Sequence, residues 1–156
     1  MTRSTTPSDA PVSFSVIFLG ERRVVLIKCQ IITNNLKVKT AYESKCRTRY
    51  YEISCMEMFL IVKKMIQRGH KLLTDPMAGS MRPNQMFCRT VLVSLRPGPM
   101  VDRESERIIN SCLATCKRFF PLKVYWPSRL TVDFQNMDYT MLSYILDNLE
   151  ESQKDL

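Results

Sequence analysis

Apolar positions recur along this chain in two rhythms, and each predicts a type of element. Val24–Thr33 is a nearly continuous β-branched run, the pattern of a strand buried on both faces. Asn34 and Asn35 end it, and both residue types cap helices or tolerate tight turns. Leu36–Cys46 fits a short helix with Lys37, Lys39 and Lys45 outside. Arg47–Ile53 fits a second strand. Ser54 and Glu57 have capping-box spacing. Met58, Phe59, Val62, Met65 and Ile66 then recur at helical period, and Gly69 supplies a left-handed stop, which predicts a helix over 55–68. His70–Thr74 reads as a third strand and Arg89–Leu95 as a fourth. A helix follows from Asp102 to Phe120. Two more are predicted near the C-terminus, one capped by Ser128 and one capped by Asp138.

The order β-α-β-α-β-loop-β-α-α points to an α/β protein. We expect a single-domain sandwich with a central, mostly parallel or mixed, four-stranded sheet flanked by helices. No helix separates the third and fourth strands, so that pair fits an antiparallel arrangement. Residues 1–23 read as a variable extension with one strand-like piece, 24–150 as the domain, and 151–156 as a flexible acidic tail.

Composition narrows the classes. The chain has 156 residues, 45% of them hydrophobic and 24% charged, with 4 Gly and 8 Pro. Collagen-like and low-complexity architectures are excluded. The net charge of +8 suggests anionic partners, but it is uneven. Residues 133–156 carry six acids against Lys154, a net of −5, so residues 1–132 hold +13. An acidic helix over a basic body explains this without nucleic acid. Arg47, Arg49, Tyr50 and Tyr51 form a basic-aromatic cluster, yet solvated arginines on a strand edge are its commoner cause, and no nucleic-acid module is visible.

No apolar run approaches the ~18 residues of a membrane helix. Residues 12–19 resemble a short signal core, but Arg3 is the only base before it, Asp9 is present and no small-x-small site follows. Six cysteines occur without a Cys-x-x-Cys. Cys112 and Cys116 share a helix face with apolar residues. Reduced thiols in a cytoplasmic setting are therefore expected, with no metal and no cofactor.

Two connections attract attention, because loops that leave strand ends gather at the ligand-binding edge of open α/β sheets. The first is Thr33-Asn34-Asn35, whose amides could meet an anion at a helix N-terminus or simply cap that helix. The second is the aperiodic run from Thr74 to Gln85. Pro76 and Pro83 stiffen it, Gly79 and Ser80 allow close backbone approach, and Arg82 offers a planar fork for phosphate or carboxylate. Asn84 adds a further polar group. His70 is the only histidine. It could act as a base oriented by Asp75, although strand alternation puts 70 and 75 on opposite faces. The P-loop, dinucleotide and nucleophile-elbow patterns are absent, and no complete catalytic set is recognisable.

These loops carry a family resemblance. Ile31-Ile32-Thr33-Asn34-Asn35, Gly69-His70-Lys71-Leu72-Leu73-Thr74-Asp75-Pro76, Gly79-Ser80-Met81-Arg82-Pro83-Asn84-Gln85 and Arg89-Thr90-Val91-Leu92-Val93 resemble the GrdX family. Its members are small proteins encoded beside the glycine reductase genes of amino-acid-fermenting anaerobes. The resemblance covers about residues 26–137. It implies a cytoplasmic accessory role near components of a glycine or amino-acid reductase system, and it brings no assigned catalytic activity. Taken together, an accessory protein is expected that binds a small anionic ligand or a partner protein through the 74–85 loop. A small enzyme acting on a phosphorylated or carboxylated metabolite is the alternative, and a nucleic-acid-binding module is the second alternative. A homo-oligomer is compatible with the sequence.

Overall fold

A computed structural model describes residues 16–19, 22–25, 29–77, 87–119 and 128–154. The long apolar run of 24–33 serves two sheets. Its first residues belong to β2 (Arg22–Val25), which pairs antiparallel with β1 (Val16–Leu19). The expected extension therefore holds β1 and the first half of β2 rather than one strand-like piece, and the pair crosses the expected boundary at residue 24. The rest of the run forms β3 (Cys29–Thr33), buried at every position.

β3 is the centre of the main sheet, whose order is β4-β3-β5. It pairs parallel with β4 (Thr48–Tyr50) and antiparallel with β5 (Thr90–Ser94). Helix α1 (Leu36–Tyr42) connects β3 to β4. It ends four residues earlier than expected, where the amides of Lys45 and Cys46 both turn back to the Tyr42 carbonyl.

The main sheet has three strands, not four. Residues 71–73 lie antiparallel to β5 but contribute only an isolated bridge, Leu72 to Val93. The physical reason is competition from side-chain hydroxyls. Two backbone bonds form, Leu73 N to Leu92 O (2.9 Å) and Ser94 N to Lys71 O (2.8 Å). The bonds that would extend the ladder go elsewhere. Leu92 N donates to Thr74 Oγ1 at 3.1 Å, and Lys71 N donates to Ser94 Oγ at 2.8 Å. The sheet is mixed, and the neighbouring 71–73 segment is antiparallel to β5, as expected for a pair with no predicted helix between them.

Alternation along the strands sends side chains to two cores. Ile32, Val91 and Val93 meet α2 (Cys55–Gln67) and α3 (Arg103–Phe119) on one face. Ile31 and Leu92 meet α1 and α4 (Ser128–Lys154) on the other. Helix α2 begins with the capping box, Ser54 Oγ accepting from Glu57 N and Glu57 Oε2 from Ser54 N. It ends in a Schellman arrangement: His70 N bonds Met65 O and Gly69 N bonds Ile66 O, as a left-handed residue after the C-cap allows. Gly69 has φ +106°. Asp102 caps α3 through Ser105 N.

Two C-terminal helices were expected, and one 27-residue helix is found. No Gly or Pro separates Asn136 from Asp138, so nothing interrupts the backbone ladder there. Asp138 is a buried mid-helix residue, not a cap. The helix runs through Lys154, four residues into the expected tail.

Candidate functional site

The C-terminal end of β3 lies beside the start of β5, because the two are antiparallel with Thr33 opposite Thr90. The end of β4 joins them, with Tyr50 opposite Thr33. This edge collects polar side chains from four segments. Thr33 Oγ1 accepts from Asn35 N at 3.0 Å and lies 2.8 Å from Thr90 Oγ1. Thr90 Oγ1 donates to Asp138 Oδ2 at 2.7 Å, and Thr90 N donates to Asp138 Oδ1 at 3.0 Å. A carboxylate accepts only, so the hydroxyl chain runs from Thr33 through Thr90 to Asp138.

Asn35 caps α1 by accepting from Lys37 N (3.0 Å), while its Nδ2 donates to Gln135 O (3.0 Å) and Asp138 Oδ2 (2.9 Å). Asn34 bridges outward. Its Nδ2 donates to Ile53 O at 3.0 Å, just ahead of α2, and its Oδ1 accepts from Arg89 N at 2.8 Å. The two asparagines thus tie β3 to α1, α2, α4 and the entry of β5. Their side-chain amides are engaged in holding the edge together.

Next to this network is a narrow cleft, whose inner space of ≈ 10 Å³ admits about one water-sized group, between residues 74–76, the start of β5 and α4. Arg89, Thr90, Asp138 and Met141 are among its lining residues. Arg89 is buried, and its Nη1 lies 3.7 Å from Met141 Sδ. Asp75 stands at the rim, and its Oδ1 accepts from Met77 N at 2.9 Å, a local Asx turn. Burial pushes the Asp138 carboxyl above the usual aspartate range, against the lowering effect of Asn35, Thr90 and nearby Arg89. Desolvation of a charge outweighs its hydrogen bonds here.

His70 is not part of this edge. Its Nδ1 donates to Ser94 O at 2.9 Å, at the opposite end of β5. Four residue steps, roughly 13 Å, separate the two ends. Asp75 is therefore not its orienting partner. Gly79, Ser80, Arg82 and Asn84 lie outside the described residues. Of the basic-aromatic cluster, Tyr50 is covered by Lys39 Nζ at 5.4 Å from the ring centroid. The expectation from sequence missed Arg89, Thr90 and Asp138. The available signals were an arginine at the head of an apolar strand and an aspartate inside an unbroken helical stretch.

Among the described residues no group of three His, Cys, Asp or Glu side chains could hold a metal ion. No described helix is long and apolar enough to cross a membrane. The fold and its edge define a small three-layer α/β protein with a cross-linked polar rim around a cleft. Its sequence carries that definition further: the chain belongs to the GrdX-like protein family, whose model matches residues 30–147. No curated protein and no solved structure matches it.

Proposed function

We propose that this GrdX-like protein is an accessory protein that takes a small anionic ligand at the cleft edge, with the 74–85 loop forming part of the site. The observation that carries this reading is Arg89, a buried guanidinium in the cleft wall at the point where that loop rejoins the sheet. A guanidinium in low-dielectric surroundings binds carboxylate or phosphate through paired N–H donors. The hydroxyl of Thr74, whose oxygen accepts from Leu92 N, is the natural secondary donor, whereas the Thr90 hydroxyl already gives its proton to Asp138. Asp138 is the wall behind them, because its oxygens already accept from Thr90 and Asn35. Arg82, inside the loop, is the proposed second cation. His70 lies away from this edge, which favours binding over acid–base chemistry there. Family membership supports a role beside a glycine or amino-acid reductase system.

The test is a thermal-shift series with inorganic phosphate and short carboxylates on wild type, Arg82→Ala and Arg89→Lys. A ligand at a hundred times its Kd should stabilise the folded state by about 2.7 kcal/mol. Both variants should lose most of that response. An Arg82→Ala protein that keeps every ligand response would remove the loop from the site. No response to any anion in wild type would remove the site itself.

A further inference from the structure

We infer that α4 carries a self-association surface, and that two copies of this chain pair through it antiparallel about Met137. Leu130, Met137 and Tyr144 are 41%, 46% and 69% exposed. They are spaced seven residues apart, so at 3.6 residues per turn they fall on one stripe. Half-buried Phe134 and Met141 fill the stripe at intermediate positions. The three exposed positions lie roughly 140° round the helix from the Asp138, Leu142 and Leu146 positions that face the body. An amphipathic helix needs only one apolar face to pack on its own domain. The second face, at coiled-coil spacing, fits a second helix.

The charges choose the partner and its direction. Exposed Arg129, Asp133 and Asp147 lie along one flank of the stripe. An antiparallel pair centred on Met137 sets Leu130 against Tyr144 of the other copy. It brings the same flanks together, and Arg129 then stands about 3 Å along the axis from the other copy's Asp147. The contact occurs twice by symmetry, as an isologous interface requires. The two Asp133 residues stay about 12 Å apart along the axis, beyond the screening length of physiological salt. A parallel pair would set this flank against the Phe134–Met141 side and match no charges. The surface is therefore complementary to itself in one orientation. The seam from 130 to 144 is about 21 Å long, shorter than a standard interface provides, so association in roughly the micromolar range is expected.

Light scattering on the full chain over a micromolar concentration series tests this. Wild type should rise from 18.2 kDa towards twice that mass. Met137→Glu places two carboxylates face to face across the twofold axis and should weaken association about a hundredfold or more. Its far-UV circular dichroism should stay unchanged, since the site is exposed. Arg129→Asp and Asp147→Arg should each weaken the dimer, and the double swap should restore it. A wild type that remains at 18.2 kDa throughout overturns the proposal and leaves the stripe to a different protein. A dimer indifferent to Met137→Glu overturns it as well. A dimer broken by Met137→Glu but insensitive to both charge swaps overturns the antiparallel arrangement.

Discussion

Asn35 Nδ2 donates to Asp138 Oδ2 at 2.9 Å across 103 residues of sequence. The same carboxylate takes both donors of Thr90. One side chain in the middle of α4 therefore fixes that helix to the end of β3 and the start of β5. Replacing it with alanine leaves the buried Asn35 amide and the Thr90 amide without this acceptor. Each such loss costs about 1–3 kcal/mol. Asp138→Ala should therefore cost about 2–6 kcal/mol and lower Tm by roughly 4–24 °C, at about 2–4 °C per kcal/mol for a chain of this size. Asp138→Asn keeps one acceptor and should fall in between. Calorimetry of the three proteins checks the order. An alanine variant as stable as wild type would dissolve the role given to this network.

The same carboxylate sets a pH dependence. Burial holds its pKa above the usual aspartate value, so the folded chain keeps its proton at a pH where the unfolded chain has released it. Stability then falls as pH rises. The contribution is fully present below the unfolded pKa of about 3.9 and is lost as pH rises through the folded value. Denaturant melts of wild type and Asp138→Asn across this range isolate it. The stability of wild type relative to the variant should decline with rising pH above about 4. A flat or rising difference would contradict the burial argument.

What was readable in the sequence depended on how local its cause is. Ser54, Glu57 and Gly69 act within a few residues of one another, and the helix they bound was predicted to within one residue of its observed end. The two-sided burial of Ile31 and Ile32 was also visible, because a continuous β-branched run needs cover on both faces. Asp138 was misread as a cap because its partners are distant, Thr90 by 48 residues and Asn35 by 103. The unbroken helical stretch around it argues against a cap, but nothing near it in the chain identifies the donors it accepts from. The fourth strand failed for a related reason. Leu72 and Leu73 have strand character, but the Ser94 and Thr74 hydroxyls that truncate the ladder act only once the chain has folded.

Gly69 and Gly98 give a matched pair of backbone tests. Gly98 N donates to Gly69 O at 2.8 Å, so the two backbones meet directly. A Cβ built on Gly69 would fall 2.3 Å from Gly98 O, at a φ of +106°. That is a clash with a carbonyl in a conformation that L residues rarely adopt. Left-handed strain alone costs about 1–3 kcal/mol, and the contact adds to it. A Cβ on Gly98 would lie 3.6 Å from Gly69 O, an ordinary distance. Urea melts should therefore show Gly69→Ala destabilised by more than about 2 kcal/mol and Gly98→Ala changed by less than about 1 kcal/mol. Equal effects would show that the helix stop does not depend on close approach.

The six cysteines are all free and buried. Desolvation raises the pKa of all six, since burial penalises the thiolate. Cys29 and Cys116 are pushed up to about 11, and Cys55 and Cys112 to about 12. Cys46 and Cys88 shift in the same direction for the same first cause. At pH 8 a thiol with a pKa near 11 is ionised about once in a thousand molecules, and it is also shielded from reagent. A chromogenic disulfide reagent should therefore find six thiols in denaturant and react slowly with all of them in the native protein. A native cysteine that reacts as fast as a free thiol at pH 8 would mark a reactive, accessible site. It would also reopen redox chemistry as a function for this fold.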